Sequence, residues 1–318
     1  MGIEIIKIQN EQQWLERRVF DVTSTESPAL FNLSPYLTEF ELFHNKRDAV
    51  VVKLQPSERM KWGNRLESAI AYGAAEDQGW TVSPLDVYMS DLDIRMGSSF
   101  DFQIDSSSDG PGIMEIKNVD RLEFARNWID HGNGQIEAPE HIEMQVQHQM
   151  AVSGHKWCAI VALVGGNEQK VLLRNADAEI AQGIRDKVQA FWKRVEANTP
   201  PSADYSRDAE FIIKKLYGKS DEGVVLDATN DPDLEDMLTQ YRFVSKELGD
   251  MEKIKDRHKA KILERIGRAS KVLTSIGTLS CGNVKDSAPT VITPDMIGKT
   301  YGGRAGYRSF KFTPAKEK

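Results

Sequence analysis

Cysteine is scarce in this sequence and long apolar runs are missing, and each shortage narrows what the chain can be. Cys158 and Cys281 stand far apart without CxxC spacing, which excludes a disulfide framework and a cysteine-based metal site. No apolar run approaches the roughly 18 residues needed to span a bilayer. The opening MGIEIIKIQNEQQW lacks the basic-then-apolar layout of a secretion signal. The expectation is a cytoplasmic protein in a reducing setting with no membrane partner. Internal repeats and low-complexity tracts are also lacking. What is present is bulk: 318 residues, 40% of them hydrophobic, can bury a substantial core.

Positive charge is in deficit. The formal net charge of -7, taken alone, argues against a protein that holds nucleic acid, because phosphate contacts draw on clustered Lys and Arg. The average hides a split. Residues 242–318 carry 17 Lys+Arg against 8 Asp+Glu, and the rest of the chain 24 against 40. Most of that acidity is solvated surface, but part of it could serve as a carboxylate cluster.

The pattern along the chain predicts helices over residues 10–75, with Trp14, Leu15 and Val19 at helical spacing, a loop-rich SPALFNLSPYLTEF, and an amphipathic run from Ser57 to Tyr72. From Trp80 to Asn118 the pattern is β-branched and alternating, and VSPLDVYMS, SSFDFQI and GIMEIKN are the strand candidates. A helix is expected over Glu140 to Ser153. KWCAIVALVGG and QKVLLRN follow as two strands closed by a Gly-Gly turn, then a helix from Ala178 to Glu196. This order predicts an α/β fold, a mixed β-sheet core flanked by helices.

The Thr199-Pro200-Pro201 break places the end of the core near residue 200. The basic extension of residues 201–318 is expected to carry a long amphipathic helix or helix pair, from Leu234 through Met251 and on to Ile262, Ile266 and Val272. A terminal strand is expected at Tyr307 to Phe312. The extension is expected to pack on the core.

The informative stretch is FDFQIDSSSDGPGIMEIKN. Its Ser-Asp-Gly-Pro-Gly segment signals a turn, and a hairpin centred near Ser108 puts Asp101 opposite Glu115. Lys117 joins Glu115 on one face because side chains repeat every two residues, and Ile113, Met114 and Ile116 pack the strand. Two carboxylates and a lysine gathered on one face suit a hard divalent cation. Asp101 and Glu115 could hold Mg²⁺ with the backbone carbonyl of Ile116, and Mn²⁺ suits the same oxygen ligands. Such an ion activates water and stabilises charge on a phosphate, and Lys117 could orient that water. A charged edge hairpin with a cross-strand ion pair would give the same residues.

Around those residues the chain resembles the YqaJ-type viral recombinase family, relatives of the lambda-type phage exonucleases within the PD-(D/E)xK nuclease superfamily. The resemblance runs from about Trp14 to Trp192. It rests on WLERRVFDVTSTESPALF, WGNRLE, the D…ExK residues and QVQHQM. It departs at Phe100, where the superfamily name expects proline; that position supplies no ligand.

The resemblance implies a restriction-endonuclease-like core over residues 1–200 and site residues beyond the hairpin. Arg18 with Thr25, or the neighbouring Ser24, would bind a 5′-terminal phosphate. Glu67 would be a metal-site or water-positioning carboxylate, Asp91, at the family's spacing of ten positions before Asp101, a further metal-site acid with Asp93 nearby, and Gln145 an active-site glutamine. Gln149 lies one helical turn on, and His148 reads as a surface or nucleic-acid contact.

The implied activity is a metal-dependent 5′-to-3′ exonuclease of two-metal type acting on linear double-stranded DNA. It would leave 3′ overhangs for a single-strand annealing partner, and would work as a homotrimeric ring in the cytoplasm of a bacterial host, phage or prophage encoded. A structure-specific or restriction-like endonuclease would share the metal residues without the phosphate clamp. A catalytically silent DNA-binding protein would keep the fold alone. The four-cysteine iron–sulfur branch is disfavoured by the two cysteines.

Overall fold

The computed structural model describes residues 2–51, 56–132 and 134–281, and the chain divides into two units, Met1–Leu216 and Tyr217–Lys318. The first unit opens with β1 (Ile3–Lys7), α1 (Glu11–Phe20), β2 (Val22–Thr23), a 3-10 turn (Ser27–Phe31), α2 (Glu39–Arg47) and α3 (Glu58–Gln78). Five strands follow: β3 (Thr81–Pro84), β4 (Val87–Asp91), β5 (Met96–Ser99), β6 (Phe102–Ser106) and β7 (Gly112–Val119). Then come α4 (Arg121–Asn127), the short pair β8 (Ile129–Asp130) and β9 (Ile136–Glu137), α5 (Glu140–Ser153), β10 (Trp157–Val164) and β11 (Glu168–Asn175). The unit closes with α6 (Ala178–Glu196) and α7 (Tyr205–Phe211), which runs into a π-helical turn.

The principal sheet has the order β11-β10-β7-β6-β3, with β10 parallel to β7 and the other neighbours antiparallel. The strand that carries Glu115 and Lys117 is therefore its middle strand, which disposes of the edge-hairpin reading. Alternation along β7 sorts its side chains between two layers. Met114 and Ile116 face a layer with Ile70, Ala71 and Ala74 of α3, while Ile113 and Val119 join the layer built by Ile142, Val146 and Met150 of α5 and Ile184, Val188 and Phe191 of α6. Burial on both faces is why β7 reads as a nearly unbroken apolar run, interrupted by Glu115, Lys117 and Asn118.

A second sheet, ordered β1-β4-β5-β2, holds the strands that look continuous with the first in sequence. VSPLDVYMS is not one strand but two, β3 in the principal sheet and β4 in the second. Pro84 lacks the N–H that would extend the ladder, and the chain changes sheets there. SSFDFQI likewise divides between β5 and β6, with Phe100 and Asp101 at the crossing. Gly97 on β5 is required by close approach: a Cβ there would collide with the Tyr88 hydroxyl and the Asp21 carboxylate.

The loop-rich stretch contains the 3-10 turn and leads into α2, whose N-cap Thr38 accepts a hydrogen bond from the Glu41 amide at 3.0 Å. The first unit continues through the Pro200-Pro201 break because α7 is tied back to it. Thr38 Oγ1 donates to Asp208 at 2.5 Å, Arg207 donates to the Ser34 carbonyl at 2.6 Å, and Phe211 is buried.

In the second unit, α8 (Pro232–Ile266) is one continuous helix across the polar gap, capped by Asp231. Val272 belongs instead to the hairpin β12 (Lys271–Thr274) and β13 (Gly277–Ser280). The terminal strand expected at Tyr307 to Phe312 lies outside the described residues. Among the described residues, no helix is long and apolar enough to cross a membrane.

Candidate active site

The pairing of β6 with β7, Phe102 with Met114 and Ile104 with Gly112, is centred on residue 108, and one step further it sets Asp101 across from Glu115. Asp101 Oδ2 accepts a hydrogen bond from the Ile116 amide at 2.8 Å, which fixes the carboxylate beside the middle strand. Glu115, 4% exposed, is held from three sides. Its Oε1 accepts from Lys117 Nζ and from Gln145 Nε2, both at 2.6 Å, and its Oε2 accepts from Gln149 Nε2 at 2.7 Å. Lys117 also donates to Gln145 Oε1 at 3.1 Å. Helical spacing explains the two glutamines: positions 145 and 149 are one turn apart on α5 and face the same strand.

Charge is concentrated here. Burial, with the carboxylates of Glu115 and Glu67 beside it, pushes Asp101 well above the usual carboxylate range against the opposing pull of the Ile116 amide and Lys117. Half-buried Glu67 on α3 is raised by burial and by Glu115 and Asp86. Burial alone would pull Lys117 down, but Glu115 and Asp101 outweigh it and hold the ammonium above its ordinary value. Cys158, packed under Glu115, is raised well above a normal thiol, chiefly by burial, and so is not a reactive group.

The donor set fits a hard cation of the magnesium type. Among the described residues no three His, Cys, Asp or Glu side chains form a ready-made cage. Mg²⁺, however, takes one or two carboxylates and retains waters and substrate oxygens. Asp101 and Glu115 with the Ile116 carbonyl match that demand. The mutual repulsion that raises Asp101 is what such an ion would relieve.

Arg18 and Thr25 are brought together. The Arg18 guanidinium donates to Thr25 Oγ1 at 3.0 Å and stacks over Trp14, 4.5 Å from the ring centroid. Ser24 is not part of this pair: it is buried and its hydroxyl accepts from Ser98 at 2.9 Å. Beneath the loop lies Lys46, a buried lysine that no motif or spacing marks. Its ammonium donates to the carbonyls of Arg18 and Asp21 at 2.5 and 2.7 Å and to Glu26 Oε2 at 2.8 Å. Glu26 is raised by burial but more strongly lowered by Lys46, Arg18 and the Thr23 amide, so it stays ionised.

A continuous set of contacts joins this pair to the carboxylates. Trp14 Nε1 donates to Ser99 Oγ at 2.7 Å, and Gln149 Nε2, which holds Glu115, also reaches the Ser99 carbonyl at 3.3 Å.

Two expected positions are corrected. Asp91 is not brought to the carboxylate cluster: at the end of β4 it is buried and paired with Arg185 at 2.6 Å, and the acids whose charge reaches Glu67 are Glu115 and Asp86. A spacing of ten residues cannot register the change of sheet between β4 and β6. His148 is fully buried rather than a surface contact. Its Nε2–H donates to the Gly97 carbonyl at 3.0 Å, and burial presses its pKa down to about 3.

Residues 13–156 match the model of the YqaJ-like viral recombinase domain. An alkaline exonuclease from Laribacter hongkongensis, LHK-Exo, is similar in structure, with 18% sequence identity, a TM-score of 0.48, and coverage of 63% of this chain and 99% of that one. The same enzyme in complex with dAMP gives 19% identity and the same TM-score of 0.48 and coverage. A phage related exonuclease from Haemophilus somnus 129PT follows at 11% identity and TM-score 0.38, covering 56% of this chain and 94% of that one. No curated protein sequence matches the chain.

Proposed function

We infer, from the match of residues 13–156 to the model of the YqaJ-like viral recombinase domain, that the chain is a metal-dependent exonuclease. It degrades one strand of linear double-stranded DNA from the 5′ end and leaves 3′ overhangs. The observation that carries this reading is the link from Arg18 and Thr25, through Trp14, Ser99 and Gln149, to Glu115. An anion clamp and a carboxylate–lysine cluster joined in this way suit cleavage at a fixed distance from a phosphorylated end.

Asp101, Glu115 and the Ile116 carbonyl would hold Mg²⁺, with Mn²⁺ able to substitute, and Glu67 with Asp86 beside it supplies further carboxylate for a second ion. The bound metal supplies a lowered water pKa and charge stabilisation at the scissile phosphate. Lys117, kept protonated by Glu115, carries three donor hydrogens and one fixed partner on each of Glu115 and Gln145. It is placed to orient the attacking water and offset charge on the phosphate. Gln145 and Gln149 hold both oxygens of Glu115, so the carboxylate keeps one orientation through turnover. The Arg18 fork and the Thr25 hydroxyl bind the terminal phosphate, and Trp14 pins the guanidinium plane by stacking. By family resemblance, the working form is a ring of three chains that hands its product to a single-strand annealing protein in a bacterial cytoplasm.

The test is digestion of linear duplex DNA with Mg²⁺ or with EDTA, comparing 5′-phosphate ends, 5′-hydroxyl ends and closed circles, with Glu115→Ala as control. Metal-dependent loss of linear DNA alone, fastest from 5′-phosphate ends and absent in the variant, is the expected result. Cutting of circles would replace the reading with an endonuclease, and no cutting with a silent DNA-binding protein.

A further inference from the structure

We propose that α8 pairs antiparallel with the same helix of a second copy of this chain. The helix is 35 residues long and none of them is buried. Leu234, Met237, Tyr241, Val244, Leu248 and Met251 recur at alternating intervals of three and four, the spacing that makes an apolar seam for a second helix of equal period. From Met237 to Met251 these side chains expose 48–63% of their surface. A helix of this length takes most of its stability from packing an amphipathic face rather than from propensity, so the seam implies a partner.

Charge selects the partner and its direction. From Asp231 to Leu248 there are five acidic and two basic residues; from Met251 to Arg268 there are three acidic and seven basic. In a parallel pair the acidic halves would lie side by side and the basic halves likewise. Lys255 would stack on its own copy within the seam, and Glu247 would oppose Glu252 across its flank.

An antiparallel pair centred between Gly249 and Asp250 sets each acidic half against a basic half. It places Met237 beside Ile262 of the partner subunit and Leu248 beside Met251 of the partner subunit. Lys255 and His258, which interrupt the stripe, then meet Val244 and Tyr241 rather than themselves. The lysine stem can cover apolar surface while its ammonium reaches water. The same helix on both sides gives a closed two-fold contact, so in a ring of three each chain would pair with a chain of a second ring.

The experiment uses the full chain carrying Cys281→Ser, Cys158 being buried. Met237→Cys, Ile262→Cys and the double variant are oxidised with copper phenanthroline and read on a non-reducing gel. The double variant should form a covalent dimer at least tenfold faster than either single one. Equal or faster cross-linking of Met237→Cys alone would overturn the antiparallel assignment in favour of a parallel pair. In parallel, Leu248→Lys should halve the mass found by sedimentation equilibrium while DNA digestion by each chain is unchanged. An unchanged mass together with no cross-linking in any variant would overturn the self-pairing itself and return the helix to a different partner, such as DNA.

Discussion

Gln149 spends its side-chain amide on two acceptors at once, Glu115 Oε2 at 2.7 Å and the Ser99 carbonyl at 3.3 Å. It touches both the carboxylate cluster and the strand end on which Trp14 rests. Gln149→Ala should therefore lower turnover on duplex ends about tenfold, the order expected when an oriented catalytic group loses one support. Gln149→Glu, which sets a second carboxylate against Glu115, should lower it further. Steady-state kinetics at saturating Mg²⁺ checks both, and an unimpaired Gln149→Glu variant would remove the residue from the site.

Lys117→Ala should keep the fold, because β7 is packed on both faces by its neighbours. Turnover should fall by roughly 10²–10³-fold, the usual loss when a donor aimed at developing charge is removed. Circular dichroism and single-turnover cleavage separate the two effects. Wild-type cleavage in this variant would sink the assignment of the cluster.

Asp101 has a folded pKa above its ordinary one, for which burial and the neighbouring carboxylates are responsible. The sign follows: the folded state holds the proton more tightly, so the contribution to stability is greatest below about pH 4 and is lost as pH rises through the folded value. At pH 8 without divalent metal, Asp101→Asn should melt higher than wild type, since its Oδ1 can still accept from the Ile116 amide. Added Mg²⁺ should raise the melting temperature of the wild type and leave the variant nearly unmoved. Equal shifts in both proteins would place the metal elsewhere.

Lys46 and Glu26 form a buried ion pair under the Arg18 loop, at 2.8 Å with side-chain exposures of 4% and 17%. Lys46→Met strands the Glu26 carboxylate and should cost about 3–5 kcal/mol in chemical unfolding. Adding Glu26→Gln should recover part of that loss. In the single variant, the advantage of 5′-phosphate over 5′-hydroxyl ends should shrink through KM, because the loop carrying Arg18 and Thr25 loses its anchor. An unfolding midpoint equal to wild type would show that the pair contributes nothing there.

His148 is buried neutral with a pKa pressed to about 3, burial being the main cause. Below the ordinary value near 6.5 the unfolded chain takes up a proton that the folded chain refuses, so this contribution is full above pH 6.5 and declines on acidification toward pH 3. Between pH 6.5 and 5 the decline is roughly 2 kcal/mol. His148→Gln should start from lower stability yet show a flatter profile over that interval in urea unfolding, and matching slopes would contradict the burial argument. His44, His141 and His155 are also lowered, and they add a background common to both proteins.

Local pattern carried the hairpin a long way. Turn residues centred near Ser108 and a period of two suffice to put Asp101, Glu115 and Lys117 together, and helical spacing suffices to put Gln145 and Gln149 on one face of α5. The errors share a cause. Distance along the chain from Asp101 points to Asp91, but β4 and β6 lie in different sheets, so that distance has no spatial meaning. His148 has the composition of a surface residue, and only the packing of α5 against β5 decides that it is interior.

What the sequence by itself determined was what neighbours within about ten residues set: the helices α3, α5 and α6, the strands β7, β10 and β11, the hairpin register, and the apolar spacing along α8. Tertiary structure alone decided that β7 is the middle strand and that the charge of Asp86 rather than of Asp91 reaches Glu67. It also decided that Lys46 lies beneath the Arg18 loop and that Trp14, Ser99 and Gln149 join the clamp to the carboxylates. The physical reason is that backbone periodicity fixes which way a side chain points, whereas what it meets depends on pairing between segments far apart in the chain, which no local spacing encodes.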